Sequence, residues 1–143
     1  MIAKENATEE KAIAWRLIER IHGQTEAVVK HRPDWRTTPK ADTSVLMTFS
    51  KTSQLFYDVS KKDLELFASY RRAFIIFLVG SHKDVFIVPT EVLSEHIESH
   101  GLNASQEYGD YKLHLIRDYR GSSFRELPSL NLAPYFNQYA QLL

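Results

Sequence analysis

The stretch Ala73-Phe-Ile-Ile-Phe-Leu-Val79 decides the fold, because it is the longest uninterrupted apolar run in the chain. Such a run is too short to cross a bilayer as a helix, and it is typical of a strand that is buried on both faces. After a turn at Gly80, Val85–Val88 is predicted to return beside it as a partner strand. Alternating side chains should then face opposite layers, with Phe74, Ile76 and Leu78 on one face and Ile75, Phe77 and Val79 on the other.

Helical periodicity and capping signals predict four helices around this strand. Asn6 and Glu9 have the spacing of a capping box ahead of an apolar stripe of period 3.6, and Gly23 supplies a stop. Ser60 opens a second helix in the same way, and Pro134 suits the first turn of a last one. The predicted helices are residues 8–22, 60–70, 91–99 and 134–142.

Shorter segments of β type complete the prediction. Residues 45–49 and 55–59 are expected to pair as a hairpin, and residues 32–44 are expected to form a loop. The element order indicates an α+β fold, with a mixed, mostly antiparallel sheet flanked by three to four helices. The sheet is expected either to stay open or to close as a pseudobarrel. Further strands are predicted at residues 26–31, 111–116 and 124–127.

Composition bounds the class of protein. Hydrophobic residues make up 43% of the 143 residues and charged residues 25%, which indicates a folded globular domain rather than a disordered chain. We expect residues 1–7 to form a flexible tail and residues 8–143 to form a single domain. The absence of cysteine excludes disulfides and thiol nucleophiles. Residues 1–6 lack the apolar segment of a signal peptide, so we expect a cytoplasmic protein without a membrane partner.

Charge is distributed unevenly although the net charge is zero. Residues 30–62 contain seven Lys or Arg against three Asp, whereas residues 81–110 contain one Lys against six acids. The basic stretch predicts a nucleic-acid surface, in which cations contact phosphates and Trp35 stacks on a base. The alternative is a polar loop whose tryptophan packs on the core. The predicted nucleic-acid-binding residues are Lys30, Arg32, Trp35, Arg36, Lys40 and Lys51.

No stretch of the sequence has the pattern of a self-sufficient catalytic site, so we expect no catalytic residue and no cofactor. Nucleotide-binding glycine loops and nucleophile-elbow motifs are absent. His96 and His100 have the helical spacing of two imidazoles on one metal ion, with Glu107 or Asp110 as a candidate third ligand. The alternative is a solvated pair at a helix end, which the helix dipole favours. We favour that alternative and expect no metal.

The element order of residues 8–79 resembles the αβββαβ core of PD-(D/E)XK nucleases. In that family a lysine follows a carboxylate by two positions on a central strand, because the carboxylates hold a cation and the lysine assists the developing charge. The matching positions here are Leu46 and Thr48, both unsuited to that chemistry. The other candidate acids are Asp34, Asp42, Asp58 and Glu10. If the core is of this kind, the resemblance implies an inactive copy.

A second resemblance covers residues 45–143. It rests on residues 55–64, 74–80 and 85–89, then on Tyr111-Lys-Leu-His-Leu115 and Leu130-Asn-Leu-Ala-Pro-Tyr-Phe-Asn137. Together they resemble the small N-terminal DNA-recognition domains of McrB-type modification-dependent restriction enzymes, especially the LlaJI-like kind. The resemblance implies a pseudobarrel that binds double-stranded DNA and works with an ATP-driven motor and a separate nuclease subunit.

The sequence therefore leaves three candidate functions. The favoured one is a non-catalytic DNA-binding module of a restriction-type defence system. The second is a degenerate PD-(D/E)XK nuclease-like domain, and the third is a protein-interaction or immunity-type protein that uses its acidic face at residues 84–110. The strand order separates the first two, because a closed pseudobarrel favours recognition. An open sheet in which Asp34 and Asp58 converge favours the nuclease lineage.

Overall fold

The computed structural model describes residues 5–29, 32–38, 42–118 and 121–139. Within these residues, none of the helices has the length and apolar character needed to cross a membrane. The elements in chain order are α1 (Ala7–His22), β1 (Glu26–Val29), β2 (Arg32–Thr38), β3 (Thr43–Ser50), β4 (Phe56–Ser60), α2 (Lys61–Phe67), β5 (Arg72–Val79), β6 (Val85–Pro89), α3 (Thr90–Ser99), β7 (Asp110–Asp118), β8 (Gly121–Phe124) and a 3-10 turn, Ala133–Tyr135.

The strands form two sheets. The larger sheet has the order β1-β2-β3-β5-β6, and the smaller sheet has the order β4-β7-β8. Every strand pair is antiparallel except β3 with β5, which run parallel. The α+β class with a mixed, mostly antiparallel sheet is thus confirmed. Over the described residues the strands do not close into a barrel.

Strand β5 is covered on both faces, as its continuous apolar sequence predicts. Phe74, Ile76 and Leu78 pack with Ala14, Trp15 and Ile18 of α1 in one core. Ile75, Phe77 and Val79 belong to a second core that includes side chains of the smaller sheet and of helices α2 and α3. The expected partner strand is also confirmed, since β6 pairs with β5 through Ile76 and Ile87.

Local capping sets the ends of the helices. The side chain of Asn6 accepts a hydrogen bond from the backbone N–H of Glu9, and Gly23 ends α1 at a φ of 93°. Ser60 caps α2 by accepting from the N–H of Asp63. Residues 5–7, part of the predicted tail, contact the fold, since the carboxylate of Glu5 accepts hydrogen bonds from Thr52. Residues 1–4 lie outside the described residues.

Two sequence predictions near β3 are wrong. Residues 32–38 form strand β2 rather than part of a loop, and β2 pairs with β3. The predicted hairpin of residues 45–49 with 55–59 does not form, because β3 pairs along its whole length with β5 and β4 joins the smaller sheet. The two prolines and mixed polarity of residues 32–44 conceal this strand, in which only Trp35 and Thr38 are buried and no alternating pattern marks one face.

The end of the chain also departs from prediction. A helix over residues 134–142 is not observed, and only Ala133–Tyr135 make a short 3-10 turn in the described part. Asn137 instead binds the edge of β6: its N–H donates to the carbonyl of Val85 and its side-chain oxygen accepts from the N–H of Val85. These bonds to a strand edge replace the bonds that a helix would make. The strand expected at residues 124–127 lies at Gly121–Phe124.

The double coverage of β5 predicts a large difference between two isoleucines. Ile76 is fully buried, whereas Ile116 on β7 is 38% exposed. We expect Ile76→Ala to lower the free energy of unfolding by about 2–5 kcal/mol, because it leaves a cavity between β5 and α1. The matched change Ile116→Ala should stay within about 0.5 kcal/mol. Urea denaturation measures both, and equal losses would contradict the two-sided core.

Candidate functional site

A cleft opens where β2 and β3 stop pairing. Their paired residues run from Thr38 with Thr43 to Trp35 with Leu46. Beyond that point, the start of β2 and the end of β3 border a cleft of about 550 Å³ whose remaining walls come from α1, β4, α2 and β7. Four carboxylates and two cations line it: Asp34, Asp58, Asp63, Asp110, Lys11 and Arg32. Asp34 and Asp58 both line this cleft.

Three of these carboxylates are held by cations. Lys11 of α1 donates to Asp34 at 2.8 Å, and Lys112 of β7 donates to Asp58 at 2.8 Å. The guanidinium of Arg32 donates two bonds to Asp63, at 2.8 and 2.6 Å. These pairs neutralise the charge that a divalent cation would need. Among the described residues there is no cluster of three or more His, Asp or Glu that could hold a metal ion.

The nuclease-type positions on β3 are used for packing. Leu46 is buried in the core, and the hydroxyl of Thr48 donates to the backbone carbonyl of Ile76. The only lysine among the residues that line the cleft, Lys11, comes from α1 and binds Asp34. Glu10, the candidate helix acid, binds the turn after β5 instead, where it accepts from the N–H of His82. Several acids thus line the cleft, but on β3 no lysine follows a carboxylate by two positions.

Arg32 is a structural residue as well as a cation of the basic stretch. Its partner Asp63 is 5% exposed and lies in the first turn of α2. The hydrogen bonds to Asp63 raise the pKa of Arg32 above its ordinary value, against the opposing effect of burial. Arg32 also lies over the ring of Trp35, 5.1 Å from its centroid. Because Asp63 is buried, loss of Arg32 would leave its carboxylate without its partner.

Trp35 belongs to the core. The residue is 4% exposed, its ring meets Phe67 edge-on, and its indole N–H donates to the hydroxyl of Ser44 at 2.7 Å. With Arg32 over the ring, no face is open to a base, so the stacking role predicted for Trp35 is corrected. The interpretation of Trp35 as a core residue matches the structure.

The other predicted contact residues are dispersed. Arg36 is half-buried and lies over the ring of Trp15, 4.5 Å from its centroid, while its Nε donates to the carbonyl of Pro33. Lys51 is exposed in the turn that follows β3. Lys30 and Lys40 lie outside the described residues. Of the six predicted residues, Arg36 and Lys51 are the described cations without an ion pair to a buried carboxylate.

The histidine pair of α3 has a third partner that the sequence did not indicate. His96 Nδ1 lies 3.1 Å from the hydroxyl oxygen of Ser129, and His100 Nε2 lies 3.2 Å from the same oxygen. The third group at this pair is therefore Ser129 rather than Glu107 or Asp110.

A separate histidine, His114, donates to Glu126 from both its ring and its backbone. Burial works against ionisation of Glu126, yet those bonds hold its pKa below the ordinary value.

Comparison with known proteins gives no relative: no protein-family model, no curated protein and no solved structure matches the chain.

We expect the buried and the exposed ion pairs at the cleft to differ in strength. Asp63 is almost buried beside Arg32, whereas the side chains of Lys112 and Asp58 are each nearly half exposed. Double-mutant cycles with Met for the cation and Asn for the acid should give a coupling of about 1–2 kcal/mol for Arg32–Asp63. The Lys112–Asp58 pair should give less than about 0.5 kcal/mol, because solvent screens it. Chemical denaturation measures both, and equal couplings would refute a structural role for Arg32.

Proposed function

We propose that this chain is a non-catalytic DNA-binding module of a restriction-type defence system, built on a degenerate PD-(D/E)XK-like core. The observation that carries the proposal is that the larger sheet stays open while Asp34 of β2 and Asp58 of β4, in the smaller sheet, line one cleft. This arrangement favours the nuclease lineage over a closed pseudobarrel. The module would act in the cytoplasm on double-stranded DNA, while a motor or nuclease subunit supplies the chemistry.

The ion pairs in the cleft support the non-catalytic part of the proposal. Metal-dependent hydrolysis needs carboxylates that are available to a cation, together with a group that assists the attacking water. Lys11 and Lys112 occupy the carboxylates of Asp34 and Asp58, and β3 offers Leu46 and Thr48 where the family has an acid and a lysine. The core geometry is thus retained while its reactive groups are replaced.

We assign phosphate contact to the cations of the predicted set that make no ion pair with a buried carboxylate. Arg36 and Lys51 are the two such cations among the described residues. We also propose Lys30 and Lys40 as phosphate contacts, on the basis of the sequence alone. Arg32 is not proposed as a phosphate contact, because its guanidinium already donates two hydrogen bonds to the buried Asp63. Such contacts would give binding that depends on backbone charge rather than on base identity.

A protein-interaction role is the second candidate, and one groove favours it. Helices α2 and α3 border a cleft of about 550 Å³, and Glu91, Glu95 and Glu98 of α3 line it. These acids belong to the acidic stretch of residues 84–110. Arg71 and Arg72 line the same groove, so its net charge is only slightly negative and it offers DNA no basic surface. The DNA-binding measurement therefore also separates the two candidates.

DNA binding is expected to fall steeply with salt, with a slope of about 0.9 per phosphate neutralised. We expect Arg36→Gln with Lys51→Gln to weaken the binding of a duplex and to reduce that slope by about 0.9 for each lost contact. Arg71→Gln removes an exposed arginine elsewhere and serves as the matched control. Fluorescence anisotropy at several salt concentrations measures all three proteins. If the unchanged chain does not bind a duplex at low salt, the DNA proposal fails.

The chain alone should not cleave DNA. Supercoiled, linear and modified DNA with Mg²⁺ or Mn²⁺ should remain intact, because no lysine accompanies a strand carboxylate on β3. Gel electrophoresis provides the measurement. Cleavage that disappears in both Asp34→Ala and Lys11→Ala would show that the lysine of α1 completes the site, and would make the chain a nuclease.

A further inference from the structure

The last turn of α3 and the segment after β8 meet through three side chains. His96 and His100 stand four positions apart, with ring centroids 6.0 Å apart and planes inclined by 26°. Ser129 comes from a segment 33 positions along the chain from His96 and places its hydroxyl between the two rings. Two imidazole nitrogens thus face one point in space, at 3.1 and 3.2 Å from the oxygen that occupies it.

The backbone of α3 decides which nitrogen of His100 carries the proton. His100 Nδ1 lies 2.9 Å from the carbonyl oxygen of His96, and a carbonyl only accepts. Nδ1 is therefore the donor, and in the neutral ring Nε2 presents its lone pair toward Ser129. The hydroxyl of Ser129 then donates to His100, so His96 Nδ1 must donate to the hydroxyl oxygen.

We propose that His96 and His100 bind one Zn²⁺ ion between their two ring nitrogens, with the hydroxyl of Ser129 displaced to the side of the ion and water completing the coordination. Zinc binds imidazole nitrogens at about 2.0–2.1 Å, which is about one ångström shorter than the distances from these nitrogens to the hydroxyl oxygen. Each ring therefore moves toward the ion by about that amount. His100 already has the tautomer that a metal ligand needs, fixed by a backbone carbonyl as in known zinc sites. His96 supplies Nδ1 once its proton shifts to Nε2.

The sequence around the two histidines is acidic. Glu95 precedes His96, Glu98 lies between His96 and His100, and both glutamates are exposed on α3. The stretch from residue 81 to residue 110 carries one lysine against six acids. Both ring nitrogens and the hydroxyl lie near solvent, which lets the ion enter and leaves coordination positions for water.

The experiment titrates Zn²⁺ alone into the full chain by isothermal titration calorimetry. One ion should bind per chain. Either His96→Gln or His100→Gln should lower the affinity by more than about tenfold, because each removes a ligand. The glutamine amide can donate to Ser129 in place of His96 or accept from it in place of His100, so the loss measures the imidazole nitrogen. Zinc should also raise the thermal unfolding midpoint of the unchanged chain and leave that of both variants in place.

Two control variants locate the ion. His114→Gln changes another partly exposed histidine, which is paired with Glu126, and should leave the zinc affinity unchanged. Ser129→Ala should retain binding, because the two imidazoles hold the ion. The proposal is overturned if the unchanged chain binds no zinc, if His96→Gln and His100→Gln bind as before, or if binding is lost in His114→Gln or in Ser129→Ala.

Discussion

The burial of β5 on both faces is the constraint on which the rest of the structure depends. Its central residues Ile75, Ile76, Phe77 and Leu78 are completely inaccessible to solvent, so each face needs a layer of its own. Helix α1 covers one face, and the smaller sheet with α2 and α3 covers the other. Removing either layer would expose an apolar surface that contributes roughly 25 cal/mol for each square ångström buried.

The parallel pairing of β3 with β5 follows from this arrangement and explains the failed hairpin. Parallel neighbours cannot be joined by a tight turn, so the chain between them must cross over one face of the sheet. That crossover contains β4 and α2. Strand β4 therefore lies over the sheet, where Tyr57 packs edge-on against Phe77 and donates a hydrogen bond to the carbonyl of Leu78. The crossover thereby supplies part of the layer that β5 requires.

Charged residues at the cleft are divided between structure and surface. Arg32 joins β2 to α2 through a nearly buried carboxylate, and Lys11 joins α1 to β2 through Asp34. Each of these ion pairs satisfies a carboxylate while it joins two elements of the fold. Arg32, although it belongs to the basic stretch of the sequence, is thereby engaged within the fold.

The sequence by itself determined the features that depend on near neighbours in the chain. The apolar run of β5, the Asn6 cap and stripe of α1 and the alternation of β7 involve residues within a few positions, and all three appear as predicted. Tertiary structure alone decided that Trp35 is a core residue, that Asp63 meets Arg32 from 31 positions away, and that Ser129 lies between two histidines. Periodicity and caps are local, whereas such pairings arise only when distant segments are packed against β5.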